Sequence, residues 1–479
     1  MEKKILEEIV GVDNVFDDPE TLTEHAKDHS LCKPRSPSYV VTPRSSDEIQ
    51  AIVKLANQTV TPITPVSSGV HFYGAAIPQQ GGIVLDVSRR NTILNVDTRN
   101  RTVRIEPGVT WGQMKKELKK HDLMPLSPLL PHASASALTS AVERAPMLIP
   151  KTEYGEPVLT MEVILPTGEL FRTGSASVGP PGEIQTDLVG PSGPGLDWFR
   201  LLQGTQGTFC IVNWVNMKAP PLPKREKVFF IPFQKVETVV KPLYAVLRRM
   251  LGTECFLLNQ FNLACILAKA WPADFNILRN KLPPWTLILC LSGGRILPQE
   301  KIEYQEADLM EIAQTFNLKP ETNIPHADGK EGTPLLNLLR SPWKKEPYWK
   351  ERFKERCCDI FFYTTVDRIP SFTRLVTRVA SRRGYDPREI GHYFQPLEGG
   401  RACCLEFNFP WNGEEREKIN DLYITLSTAL ASEGAFFGRP YGYWSELVYN
   451  RNSALTTTLR NLKKILDPNN IMNPGKLCF

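Results

Sequence analysis

Histidine is scarce in this chain, with seven in 479 residues, and the formal net charge is only +5. The small, scattered positive charge leaves no electrostatic footprint for nucleic acid. None of the ten cysteines sits in a C-x-x-C pair, which argues against a zinc ribbon or an iron–sulfur cluster held by this chain alone. No uncharged apolar run reaches the ~20 residues of a membrane span. The start, Met1-Glu2-Lys3-Lys4-Ile5-Leu6, has no apolar signal core, so reduced thiols and a cytoplasmic location are expected. Two phosphate-binding signatures are missing as well. No Lys-Ser/Thr follows a glycine loop as in a P-loop, and no G-x-G-x-x-G opens a helix as in a Rossmann unit.

Proline, by contrast, is abundant, with 40 residues clustered at 125–131, 180–181, 191–194 and 220–223. These clusters mark long ordered loops and a domain boundary. A length of 479 residues exceeds one compact core, so two or three domains are expected. Residues 3–30 read as helical with polar ends. From Tyr39 short strands alternate with helices, and Ser46-Asp47-Glu48 caps a helix carrying Ile49, Ile52, Val53 and Ala56 at helical spacing. The alternating segments 93–97 and 102–106 predict one hairpin, and 159–165 with 169–173 predict another. After Lys227, strands alternate with amphipathic helices, as in an α+β domain. Residues 302–358, which carry Trp343 and Trp349, read as a charged, solvated excursion. The vicinal pairs Cys357-Cys358 and Cys403-Cys404 read as buried small hydrophobes, and His25 and His29 as surface residues.

The most informative stretch is Pro65-Val66-Ser67-Ser68-Gly69-Val70-His71-Phe72-Tyr73-Gly74-Ala75-Ala76, followed by the apolar run Ile83-Val84-Leu85. A strand breaks into a loop of small residues and then resumes. Small residues let main-chain N–H groups converge on an anion. Such a loop holds a pyrophosphate without a lysine, and so points to a tightly held dinucleotide such as FAD.

Further signals follow in order. They are the turn Pro107-Gly108-Val109-Thr110-Trp111, the segment Ser140-Ala141-Val142-Glu143-Arg144, the loop Gly204-Thr205-Gln206-Gly207, and the ending Asp467-Pro468-Asn469-Asn470-Ile471-Met472-Asn473-Pro474-Gly475-Lys476. This series resembles the vanillyl-alcohol oxidase / p-cresol methylhydroxylase family of FAD flavoproteins, over residues 35–220 and 430–476. It is also similar to the FAD subunits of glycolate and D-lactate dehydrogenases. The resemblance implies an α+β fold, with a two-subdomain FAD-binding domain of the p-cresol methylhydroxylase type and an inserted α+β cap. The expected boundaries are 1–225 for the FAD-binding domain, 226–430 for the cap, and 431–479 for a segment returning to the FAD-binding domain.

The resemblance assigns cofactor contacts to Pro65, Ser67, Ser68, Gly69, Val70, His71, Phe72 and Tyr73 of the first loop. It adds His132, Ala135, Ser136 and Ser140, then Gly204, Thr205, Gly207 and Ile211, and Asn473 at the end. Ala135 stands where relatives often have glycine. The cap stretch matching the family's flavin-bonding histidine, 400–408, contains no His, so non-covalent FAD is expected, although His71 lies close to a bonding position. Arg439 aligns with an anion-holding arginine of the alkylphenol-oxidising branch. Gly438 and Trp111 stand where that branch has tyrosines, and Tyr441 or Tyr443 are the candidates to replace them. His392 and Arg401 are candidates for a polar wall over the flavin. The cap histidines His326 and His392 lack paired spacing, so no metal is expected.

The function implied is an FAD-dependent dehydrogenase. It takes a hydride from a hydroxy acid, alcohol or alkylphenol and passes electrons to an iron–sulfur subunit, a cytochrome or an electron-transfer flavoprotein. Association into homo- or hetero-oligomers is compatible with this. The alternatives are an oxidase that uses O2 and an electron-relay flavin subunit of a larger complex.

Overall fold

The computed structural model describes residues 2–149, 157–178, 187–325 and 332–479. Three sheets organise it. In the first, the buried apolar strands Tyr39–Val41, Ile83–Asp86 and Ile63–Val66 run parallel, and Val15–Phe16 pairs antiparallel at the edge. Parallel pairing requires a crossover, and the helix Ser46–Thr59 supplies one. Its cap is Ser45, one residue before the expected Ser46; the Ser45 side chain accepts from Glu48 N, and Ile49, Ile52, Val53 and Ala56 are the helix's buried face. The second sheet is antiparallel and contains both expected hairpins, Ile93–Asp97 with Thr102–Ile105 and Val158–Ile164 with Leu170–Arg172. The strand Ile211–Lys218 joins them.

The third sheet has six antiparallel strands and lies in the stretch expected for the cap. Its first strand, Arg225–Phe233, begins directly after the last proline cluster. Both faces are covered. In the strand Trp285–Gly293, Leu287, Leu289 and Leu291 enter one core cluster while Ile288 and Cys290 enter another, the two-residue alternation of a sheet buried on both sides. The helices Val240–Arg248, Pro298–Phe316, Ile369–Arg382 and Arg416–Ser432 pack on the first face. The helices Gln260–Leu267 and Ala273–Lys281 pack on the second.

Several sequence expectations change. The helix anticipated over 3–30 is two helices, Lys3–Val10 and Pro19–His25. Gly11 ends the first at φ +85. Asp18 caps the second, with Pro19 at its first position. The excursion over 302–358 is solvated only in part. The helix Pro298–Phe316 does turn a charged face with Glu303 and Glu311 to solvent, but Trp343 and Trp349 are buried among Phe261, Leu336 and Tyr348. His29 is not a free surface group, since its Nδ1 pairs with Glu351 at 3.0 Å and its ring packs on Phe72. The vicinal cysteines are free thiols, buried except for half-buried Cys357.

The C-terminal segment returns to the first sheet. Ile63 N donates to Ile471 O at 2.7 Å, and Asn473 N donates to Ile63 O at 2.8 Å. An ion pair buried at this junction holds the return. Lys463 Nζ meets Asp467, whose carboxylate also accepts from Ile471 N at 3.0 Å and Met472 N at 2.9 Å. Removing one partner leaves the other charge stranded in low dielectric. Lys463→Met should therefore destabilise the protein by about 3–5 kcal/mol, measured as a lowered thermal and urea midpoint. An unchanged midpoint would show that the pair does not secure the C-terminal return.

Candidate active site

Three loops converge at the end of the strand Ile63–Val66. The loop that follows it is pinned from outside. Asp28 Oδ2 accepts from Gly74 N at 2.6 Å, and Lys476 Nζ donates to Gly74 O at 2.6 Å. The second loop ends in the short helix Ala137–Val142, where the Ser136 hydroxyl accepts from Thr139 N and donates to Pro107 O. Ser67 Oγ and Thr139 Oγ1 lie 2.6 Å apart and join the first loop to the second. The third loop turns through Gly204, Gln206 and Gly207, all at positive φ. At Gly207 an added Cβ would lie 2.6 Å from Pro65 Cγ, so only glycine lets this loop lie against the strand end.

Asn473 locks the strand end to the first and third loops. Its Oδ1 accepts from Thr64 Oγ1 at 3.1 Å, and its Nδ2 donates to Ala75 O at 3.0 Å and Gln206 O at 2.7 Å. A slot of about 730 Å³ opens between the loops, lined by Pro65, Ser67, Thr205, Gly207 and Ile211. A second cavity of about 1090 Å³ adjoins it. Ser68, Val70, Phe72, Tyr73, His132, Ala135, Ser136 and Ser140 face this cavity, with Arg439 and Tyr441. His71, Ala75, Thr139 and Glu143 line both spaces, so the two are continuous.

Three of the anticipated cofactor residues act from behind the lining or away from it. Asn473 is the clamp just described. Gly204 backs onto the Arg144 guanidinium, and at Gly69 an added Cβ would meet nothing within 4 Å.

Among the catalytic candidates, Arg439 and Tyr441 reach the cavity and four others do not. Tyr443 bonds Thr428 Oγ1 at 2.9 Å and lines a separate space with Cys32 and Tyr423. Trp111 is packed in the core, and its Nε1 donates to Ser140 Oγ at 3.1 Å. Arg401 is exposed beside Glu398. His392 is buried among Trp285, Phe394 and Phe407, and this burial pushes its pKa down to about 3. Strand parity is the reason: His392 pairs with Phe407 and Tyr393 with Glu406. Paired residues point to the same face, so Tyr393 and Glu406 face the cavity and His392 faces away. His326 lies outside the described residues.

Arg439 is buried and enclosed by aromatic rings. Its guanidinium carbon lies 5.0 to 5.6 Å from the ring centres of Phe361, Tyr441 and Tyr73. Tyr73 and Tyr441 stack at 5.1 Å. Burial opposes the Arg439 charge, but Tyr441, Tyr363, Tyr73 and Glu143 outweigh it and keep the group protonated. Arg439 Nη2 donates to Tyr441 OH at 3.4 Å, and Tyr441 OH donates to Glu143 Oε2 at 3.1 Å. Glu143 Oε1 accepts from Gln206 N at 2.9 Å. Burial raises the Glu143 pKa, only partly offset by Arg439.

Glu143, Tyr348, Trp349 and Lys350 are site residues that the sequence reading missed. Lys350 Nζ sits 2.6 Å from both Asp359 Oδ2 and Glu406 Oε1. Asn408 Nδ2 ties the same two carboxylates at 2.6 and 2.8 Å. Burial works against the ammonium, yet the paired carboxylates raise its pKa well above the ordinary value. The signal available for Lys350 was its place in an aromatic run, Tyr348-Trp349-Lys350, within an otherwise charged stretch.

Residues 37–174 match the FAD binding domain model, and residues 365–477 match the C-terminal domain of FAD linked oxidases. The chain is an FAD-linked oxidoreductase. The mitochondrial D-lactate dehydrogenase [cytochrome] of Arabidopsis thaliana is 23% identical over 462 residues, 92% of this chain and 73% of that protein. The flavoprotein subunit of 4-cresol dehydrogenase [hydroxylating] from Pseudomonas putida is 31% identical over 233 residues, 46% of this chain and 43% of that protein. The fold of this FAD-linked oxidoreductase is that of p-cresol methylhydroxylase, whose substrate-bound crystal structure superimposes with a TM-score of 0.84 at 18% identity, over 99% of this chain and 96% of that one.

The residues present fit FAD. The slot presents hydroxyls at Ser67 and Thr139 between apolar walls at Leu138, Val142 and Ile211. At its junction with the larger cavity, buried His71 Nε2 has no hydrogen-bond partner among the described residues, and neither does Arg439 Nε in the cavity. Buried polar atoms of this kind call for a ligand. Asn473→Ala would strand the carbonyls of Ala75 and Gln206, at about 1–3 kcal/mol for each unsatisfied group. The FAD-linked oxidoreductase carrying it should purify with a lowered ratio of flavin to protein absorbance. Full flavin content would refute the clamp.

Proposed function

We propose that this FAD-linked oxidoreductase is a dehydrogenase that oxidises a C–H bond of an aryl alcohol, alkylphenol or related hydroxy compound and passes the electrons to a protein acceptor. The observation that carries this reading is the Arg439–Tyr441–Glu143 chain in an aromatic-walled cavity adjoining the FAD slot. Bound FAD supplies the two-electron acceptor for the substrate hydride. Phe72, Tyr348, Trp349 and Tyr393 offer flat apolar walls that suit a ring better than a short aliphatic hydroxy acid. Arg439 stabilises negative charge on the substrate oxygen as the C–H bond breaks. Tyr441 takes up the hydroxyl proton and hands its own to Glu143, which it already contacts. A raised carboxyl pKa suits Glu143 to that task near neutral pH. Lys350, held by Asp359 and Glu406, keeps the opposite wall charged and ordered without contributing a free proton.

The relatives support a protein acceptor: one is named for a cytochrome and another is a flavoprotein subunit. The 400–408 stretch lacks a bonding histidine, which supports non-covalent FAD.

Glu143 works as a base only when ionised, so anaerobic flavin bleaching by benzylic alcohols or alkylphenols should speed up with pH through its raised pKa and then level off. Glu143→Gln should remove that limb and slow bleaching by about 10²–10⁴. Arg439→Ala should slow it by about 10²–10³ with FAD still bound. Stopped-flow bleaching checks all three; no effect of either substitution would remove the proposed chemistry. Air should reoxidise the reduced flavin slowly, and acid precipitation should leave the flavin in the supernatant. Rapid recovery in air would identify an oxidase, and colour retained on the pellet would identify a covalent link.

A further inference from the structure

A further pocket, open to solvent, lies at the seam between the FAD-binding half and the cap, with about 1160 Å³ of space. The helix Trp111–Lys119 contributes Lys115 and Lys119 from one side, and Glu226, Glu254 and Arg340 face them from the cap. Its floor is apolar, with Leu123, Met124, Leu126 and Leu148. The proline-rich segment is the partition between this space and the catalytic cavity. Residues 125–127 face the seam, while Pro128, Leu129 and Pro131 face the cavity. Leu148 N donates to Ser127 O at 3.1 Å and ties the partition to the neighbouring segment.

The charges at the seam are unevenly matched. Arg340 engages both carboxylates, Glu226 and Glu254. Lys115 is half-buried and has no carboxylate partner. Its Nζ donates to Ser341 Oγ at 2.7 Å and Arg340 O at 3.2 Å, which leaves the third N–H of the ammonium unused. Arg340, Lys119 and Lys344 act on it as like charges, while Glu226 and Glu254 across the same space are engaged by Arg340. Burial and then these cations push its pKa down to about 8. A partly desolvated cation whose neighbouring carboxylates are already engaged by Arg340 gains from an incoming anion.

We propose that the seam cavity is a second binding site, for an amphipathic anion: a carboxylate on a hydrocarbon body. The carboxylate meets Lys115, and the hydrocarbon covers the floor of Leu123, Met124 and Leu126. The site is distinct from the catalytic cavity, where Arg439 is the anion-holding group, and it does not depend on the identity of the substrate.

Decanoate is a suitable probe, titrated calorimetrically into the FAD-loaded protein. Saturable binding is expected, weakened about tenfold or more by Lys115→Gln and preserved by Lys115→Arg and by Arg439→Gln. Decanol should bind more weakly than decanoate and respond little to Lys115→Gln. Acetic anhydride labelling mapped by peptide mass needs no variant: decanoate should protect Lys115. Failure of decanoate to bind overturns the proposal. So does binding that is lost with Arg439→Gln and retained with Lys115→Gln, because that pattern puts the probe in the catalytic cavity. Unprotected Lys115 at saturating decanoate overturns it equally.

Discussion

One buried amide side chain holds the cofactor-binding half together. Asn473 reaches the strand residue Thr64, the first loop at Ala75 and the third loop at Gln206, and its own backbone N–H bonds Ile63 O. The strand with its loop, the third loop and the C-terminal tail lie far apart along the chain, and no regular ladder fixes the two loops against each other. Each buried carbonyl needs a donor, and one amide with two donors and an acceptor satisfies them at once. The slot between the loops therefore exists only when the C-terminal tail is in place. The buried Lys463–Asp467 pair secures that tail.

The catalytic cavity depends on the slot in turn. Its floor comes from the same loops, through His71 and Glu143, and its walls come from the cap, through Tyr348, Trp349, Tyr393 and Glu406. Electrostatics joins the two parts. Arg439, on the segment leading back from the cap, contacts Tyr441, which bonds Glu143 on the FAD-binding side. A cation, a phenol and a carboxyl group share one desolvated spot. The Lys350–Asp359–Glu406 triad does the corresponding work within the cap.

The cofactor loops were legible because their determinants are local. Gly207 is needed where the third loop meets Pro65, and the small residues at 67–69 are a visible interruption between two apolar strands. The hairpins and the helix Ser46–Thr59 were readable for the same reason, since alternation and capping act over a few residues. The cap walls were not. Trp349 and Lys350 lie in a stretch that looks solvated until its apolar residues are seen to face one core. His392 looked like a site residue, yet a single position of strand parity turns it from the cavity and brings Tyr393 in instead. Tyr441 and Tyr443 were equivalent candidates by composition, and only the packing of the segment separates them.

By itself, the sequence determined the α+β class and the small-residue loops between strands, because turn chemistry, periodicity and small-residue spacing are written in neighbouring residues. Which side chains face the flavin and the substrate was decided only in the tertiary structure. Facing is a property of pairing register and of contacts between residues hundreds of positions apart, such as Glu143 with Tyr441. Nothing local records those contacts.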